Sequence, residues 1–435
     1  MKMNLSLLSV VCCLWSCLPA DTAVLTPDDA VKLAIAHSPS LKGHDQDILA
    51  AASRRLQAEA GLRPQLDARA QANHFEGLEN QALGPVSIPV IDNQISASIG
   101  ITQPLYTGGR ATRQKLSARL GEDAARHSLT ASTADVTLQT LIAYWNWSKA
   151  LAQSEALQMA VNRMKALATD TVNFEKAGLA TDNDRLAVDV SLDQTQLQRD
   201  DADRQVDLNS VELARLTGRE PGTTEIPLKP VLAPWHLEIP ALEDTLKQAL
   251  TNREDLIALR LSAQAGAALV EAARAEGRPQ LSLIARYEQG RPNQRDFPPD
   301  DQWRGDAVVG AVVTWTLFDG GLTRGRTSEA QARETREVLL LQALEESIIS
   351  QVRSAHLTLR HSLNRRQTAL HAEAGSRLNL EVATDLWKNG MARHSDVLEA
   401  QSKLTNTTAQ RIASEADIIL ARALLDHAAG RLVKP

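Results

Sequence analysis

Two spacings of apolar residues alternate along this chain, and each stretch of them occurs twice. The first copy opens at Thr26-Pro27-Asp28-Asp29, a capped start with Pro just inside and acids in the first turn. It predicts a helix to about His37, a break at Ser38-Pro39-Ser40 and a second helix from Leu41 to about Ala60. From Leu66 the period becomes two: Leu66, Ala68, Ala70 and Ala72 alternate with Asp67, Arg69, Gln71 and Asn73. After a loop over 75–93, Ile95, Ala97, Ile99 and Ile101 alternate with Ser96, Ser98, Gly100 and Thr102. The pattern predicts strands over about 65–74 and 94–105. Beyond Gly108-Gly109 there is no Pro before Gly178, and about 68 helical residues would span roughly 100 Å. A turn near 178–183 returns the chain along Asp182–Thr217, where Leu192, Arg199, Val206 and Leu213 recur every seven residues.

The second copy matches the first almost without gaps. At a shift of 215, Asp29, Lys32, Arg63, Pro64 and Leu66 meet Asp244, Lys247, Arg278, Pro279 and Leu281. At a shift of 212, Leu105-Tyr106-Thr107-Gly108-Gly109 meets Leu317-Phe318-Asp319-Gly320-Gly321, and Leu404, Arg411, Ile418 and Leu425 repeat the heptad with its interrupting Arg. One structural unit is used twice. The expected organisation is repeat one over 21–217, a Pro-rich linker over 218–242, repeat two over 243–430 and a tail over 431–435. Repeat two carries strands at about 280–288 and 306–318 and a tip near 390–395.

Each predicted strand has one apolar and one mostly polar face, the latter bearing Asp67, Arg69 and Arg286. A water-filled lumen asks for that pattern. Four strands leave two open edges and cannot close a barrel in lipid; three chains would supply twelve.

Aromatics are only 3% of the chain, as suits long, thinly packed helices rather than a thick core. The net charge of −6 argues against nucleic acid as a partner. Residues 1–20 have the build of an export signal, with Lys2 ahead of an apolar run too short to span a bilayer. Cleavage after Ala20 is the plainer reading; Leu14-Trp15-Ser16-Cys17 is a rival in which Cys17 is lipidated. All three cysteines lie in this segment, so no disulfide or thiol chemistry is expected in the mature chain. No later stretch holds 18 uninterrupted apolar residues. No phosphate-binding Gly loop, HExxH or paired cysteine is present, and His356 and His361 do not share a helical face. No enzymatic activity, cofactor or metal is therefore expected. Trp145 and Trp147 are expected to serve as helix packing, Trp303 and Trp315 as interfacial aromatics, and His394 as a solvated surface residue.

Taken in order and in duplicate, Gln103-Pro104-Leu105-Tyr106-Thr107-Gly108-Gly109, its copy Trp315–Gly321 and the two Gly-centred turns make the chain resemble the TolC family of outer-membrane efflux and secretion channels. The resemblance covers essentially the whole mature chain. It implies a mostly α fold with a small β part: a homotrimer with a twelve-stranded outer-membrane barrel and a long antiparallel coiled-coil tunnel across the periplasm. It also implies docking to a periplasmic adaptor linked to an inner-membrane transporter, passing drugs, toxic compounds, metals or secreted proteins.

The same resemblance points to the tips. Asp396 and Glu399, one helical turn apart, fall where family members carry acids lining the periplasmic entrance; a threefold ring would concentrate cations. Acids in a first helical turn also simply favour the dipole. Asp184 matches the acidic partner of the family's closing link. Trp387 stands where an aromatic hydroxyl is usual, and Ala392 where a base is usual, with Arg393 beside it. The turns Gly178-Leu179-Ala180 and Gly390-Met391-Ala392 would be the adaptor contacts, their glycines doubling as C-caps. The competing expectation is an exported coiled-coil scaffold whose strands pack as ordinary hairpins; an exported enzyme is opposed by the missing site chemistry.

Overall fold

A computed structural model describes residues 25–77, 81–83, 86–88, 91–220, 239–293, 295–296 and 300–432. The expected export signal with Cys17, most of the Pro-rich linker and the last three residues lie outside the described residues.

Repeat one runs α1 (Pro27–His37), α2 (Pro39–Ala60), β1 (Gln65–His74), β2 (Gln81–Leu83), β3 (Val86–Ile88), β4 (Asn93–Tyr106), α3 (Arg110–Lys176) and α4 (Asp182–Thr217). Repeat two runs α5 (Leu242–Asn252), α6 (Glu254–Arg274), β5 (Gln280–Arg291), β6 (Arg304–Thr314), α7 (Leu322–Lys388) and α8 (His394–Ala428). The two outgoing helices are both 67 residues long, and the returning ones 36 and 35. Thr26 caps α1 by accepting from the Asp29 N–H, as the opening motif predicts. The β2–β3 hairpin lies inside the expected loop; Gly84-Pro85, a turn dipeptide, is the sequence signal for it.

One antiparallel sheet has the order β1-β4-β5-β6, so the two halves of the chain join at the β4–β5 seam. The register is duplicated along with the sequence. Leu66 lies opposite Ile101 in repeat one, and Leu281 opposite Val313, the same pair one copy on. Strand β6 stops at Thr314, short of the expected 318. Its copy β4 reaches Tyr106 because β5 pairs with it there; residues 315–318 have no such neighbour within the chain.

Each short returning helix meets the short helices of its own repeat end to end. Gly218, at the end of α4, lies so close to His37 that a Cβ would sit 2.3 Å from its ring. Gly430, at the end of α8, lies against Asn252 and Arg253, where a Cβ would sit 3.1 Å from their backbone. The two main clusters of core residues sit at these junctions and are also copies: Ala143, Trp147 and Leu213 in one, Ala355, Leu359 and Leu425 in the other. A shared hydrogen bond is kept with different chemistry. The Tyr144 hydroxyl donates to the Leu25 carbonyl at 3.0 Å, while His356 Nε2 contacts the Pro240 carbonyl at 3.2 Å. Burial pushes the Tyr144 pKa up to about 12.

The Arg that interrupts each heptad is also accounted for. Arg411 meets buried Glu373 of α7 at 2.6 Å and Glu415 at 2.8 Å. Arg199 meets Gln158 of α3 at 3.2 Å and Asp203 at 3.5 Å. Helix 254–277 is long and apolar enough to cross a membrane, but here it packs between α3 and α7.

Candidate functional site

Two places have the makings of function: the faces of the sheet and the tips of the helical hairpins. On β4 and β6 the apolar residues point outward, and Ile95, Ile99, Ile101, Val309 (84% exposed) and Val313 are all open. The alternate residues on β4, Ser96, Ser98 and Thr102, are half-covered on the other face. Cross-strand register gathers charge there. Asp67, Gly100 and Arg286 form one row, and Arg69, Ser98, Glu288 and Asp306 the next. An apolar outer face over a charged inner one is the reverse of a hairpin packed on a soluble core.

At the tips the backbone is the same in both repeats. Gly178 (φ 75°) donates to the Glu175 carbonyl at 2.9 Å and Leu179 to that of Phe174 at 2.8 Å. Gly390 (φ 71°) and Met391 do likewise to Trp387 and Leu386, at 2.9 and 2.8 Å. These paired bonds end a helix with a left-handed residue, a conformation that favours Gly. The following side chains are bare, Leu179 75% exposed and Met391 68%, while Ala180 and Ala392 are half-buried.

The tips then diverge. Thr181 caps α4: its N–H and hydroxyl donate to Asp184 at 3.0 and 2.7 Å, and its hydroxyl accepts from the Asp184 N–H. Those bonds, from the Thr181 backbone first and its hydroxyl second, hold the Asp184 carboxyl below its ordinary pKa. In repeat two Arg393 stands at the cap, and Asp396 accepts from its N–H at 3.1 Å. Asp396 therefore has the capping role the plainer reading gives it, while remaining exposed beside Glu399. Arg393 is exposed and makes no ion pair among the described residues, so within one chain it is not the link to Asp184.

His394 departs from expectation. It is not a solvated residue: it is 6% exposed, and both ring nitrogens are buried without a hydrogen-bond partner. It lies against Trp387, centroids 4.9 Å apart, and Trp387 lies edge-on to Phe174 at 4.8 Å. The ends of α3 and α7 close over the start of α8, which no local pattern announces. Sequence reasoning also missed Arg185, which joins Glu175 of α3 (3.3 Å) to Asp182 and Asp189 of α4 (2.5 and 3.2 Å). Its i−3 and i+4 acids were the available signal.

The duplicated motif has unequal surroundings. A Cβ on Gly108 would lie 2.8 Å from both the Ala275 carbonyl oxygen and Arg278 Cβ; Gly320, its copy, has nothing within 4 Å. Phe318 is 88% exposed where Tyr106 is 52%. On α4, Leu197, Leu208 and Val211 are exposed, whereas their copies on α8, Ala409, Leu420 and Ala423, are half-buried or buried. The same surface is filled at the inner seam and bare at the chain's outer edges.

A family model described as outer membrane efflux protein matches residues 30–219 and 245–431, both repeats and nearly the whole described chain. The chain belongs to the outer membrane efflux protein family. Among relatives of this efflux protein, the putative multidrug resistance outer membrane protein MdtQ of Shigella flexneri is 23% identical over 321 residues. That alignment covers 70% of this chain and 64% of MdtQ, so less than two thirds of the relative is matched. Protein CyaE of Bordetella pertussis is 23% identical over 427 residues, covering 96% of this chain and 87% of CyaE. The fold is that of the outer membrane protein VceC of Vibrio cholerae, with TM-score 0.80 and 19% identity over 93% of this chain and 96% of that one.

Proposed function

We propose that three copies of this efflux protein close into one duct, a twelve-stranded barrel in the outer membrane continued by a helical tunnel in the periplasm. The observation that carries the reading is the unequal burial of the duplicated surface. Strand β6 and Gly320 lack the neighbour that β4 and Gly108 have, and the next chain's β1 and α2 are copies of that missing neighbour. By the same shifts, the intrachain pair Gly100–Arg286 becomes Val312 opposite Gln71 of the neighbouring chain. Gly320 then meets the neighbour's Ala60 and Arg63. A coiled-coil scaffold has no use for an apolar outer band on the sheet.

The bare Leu179 and Met391, with Gly178, Ala180, Gly390 and Ala392 shaping the turns, form the surface for a periplasmic adaptor coupled to an inner-membrane transporter. That transporter supplies the energy and selects the cargo. The names of MdtQ and its relatives favour small toxic molecules. Asp396 and Glu399 recur threefold at the entrance and favour cations.

The expected outcome is a protein that stays in the membrane through alkaline carbonate and opens cation-preferring pores in planar bilayers. In Asp396→Asn/Glu399→Gln, the reversal potential under a salt gradient moves toward zero by about half or more. Release by carbonate as a monomer overturns the duct; an unmoved reversal potential removes the acidic ring.

A further inference from the structure

We infer that Phe174, Trp387 and His394 form an aromatic latch holding the two hairpin tips of each chain together, and that it gates the entrance by requiring an uncharged imidazole. The inference rests on the duct reading and adds to it the device that keeps the duct shut.

The three rings join elements from both repeats. Phe174 belongs to the last turn of α3, Trp387 to the last turn of α7 and His394 to the first residue of α8. The T-shaped contacts at 4.8 and 4.9 Å form one continuous stack from α3 to α8. Edge-to-face ring pairs stabilise beyond the apolar area they bury. Arg393, the residue beside the expected polar link, reaches no carboxylate among the described residues; packing takes that link's place.

A histidine in this stack is chemically odd. A phenyl ring would fill the same space without two buried nitrogens that lack partners. Its distinguishing property is that it can become charged. The surroundings oppose that charge from most sides. The ring is buried and stands at a helix N-terminus, where the backbone dipole disfavours a cation. From α7 it faces the neutral Trp387. On α3, Glu175 is engaged with Arg185 at 3.3 Å, and on α8 itself Asp396 is held by the Arg393 N–H. From α4, Asp184 acts in the opposite sense, but it forms no ion pair with the ring and its carboxylate is already bound to Thr181.

Burial consequently depresses the His394 pKa below its ordinary 6.5, against the smaller pull of Asp184. In an opened tip the imidazole is solvated and titrates near its ordinary value, whereas in the closed tip it resists the proton. The closed form is fully favoured above about pH 6.5. It loses ground as pH falls below that value, down to the depressed pKa of the closed state.

The test is the conductance of the full-length trimer in planar bilayers between pH 8 and pH 5, for wild type, His394→Phe and Trp387→Ala. Wild-type conductance should rise about threefold or more below pH 6. His394→Phe keeps the stack without the titrating nitrogen and should stay low and flat. Trp387→Ala breaks the stack and should conduct well at every pH. Pores that form but ignore pH, or a His394→Phe channel that keeps the rise, overturn the latch and leave the duct standing. A wild-type protein that forms no pore at all overturns the duct, and the latch with it.

Discussion

Arginine in place of Val309 should abolish assembly in the outer membrane, while arginine in place of Ser98 should leave it intact. Val309 is at the middle of β6 on the outward apolar face, 84% exposed in the single chain. If that face meets lipid, each arginine costs roughly 2–4 kcal/mol near the bilayer midplane. Three copies raise this to roughly 6–12 kcal/mol per trimer, comparable with the whole stability of many folded domains. Ser98 lies in the opposite, charged row between Arg69 and Glu288, where another cation meets water and a carboxylate. The comparison is read from the outer-membrane fraction as heat-modifiable trimer. Wild-type amounts of Val309→Arg trimer would mean that this face never touches lipid.

A second large effect is expected at the Gly-Gly motif, and it depends on assembly. In Gly108→Ala the new methyl meets the Ala275 carbonyl oxygen and Arg278 at 2.8 Å, on a backbone at φ 65°. Left-handed strain and overpacking together cost roughly 2–5 kcal/mol. Gly320 has φ 64° but open space around it in one chain, so Gly320→Ala costs a dissociated monomer only the dihedral strain, about 1–2 kcal/mol. In the trimer the neighbour's Ala60 and Arg63 would fill that space, so Gly320→Ala should lower the trimer's dissociation temperature, whereas the clash at Gly108 lies within one chain and should destabilise monomer and trimer alike. A Gly320→Ala trimer that melts like wild type contradicts the copied seam.

Much of this architecture is legible in the sequence because it is local and written twice. Period-two runs, long Pro-free helices and Gly turns each state their own conformation, and duplication removes most of the ambiguity between a strand and a short buried helix. What escaped depends on partners distant in the chain. Arg411 was visible as an anomaly in a heptad, but Glu373, which explains it, lies on another helix. His394 looks from its neighbours like any first-turn residue; its burial comes from Phe174 and Trp387 at the ends of α3 and α7. The early end of β6 has the opposite cause, since the strand stops where the chain has no partner to offer. Asp396 shows its local cap within one chain, while the proposed ring of acids would require three chains.

If the seam inside the chain is repeated between chains, a disulfide placed across the two open sheet edges should link neighbouring copies. All three native cysteines lie in residues 1–20, so a mature chain cleaved there presents only the engineered pair. Gln71→Cys with Val312→Cys places one thiol at each open edge of the sheet, on its lumen-facing side. Oxidation in intact outer membranes should give covalent dimers and then trimers on a non-reducing gel. Gln71→Cys with Val308→Cys, offset by four residues along β6, should give almost none. Monomer alone from the first pair, or equal yields from both, would mean that β6 of one chain does not meet β1 of the next in the copied register.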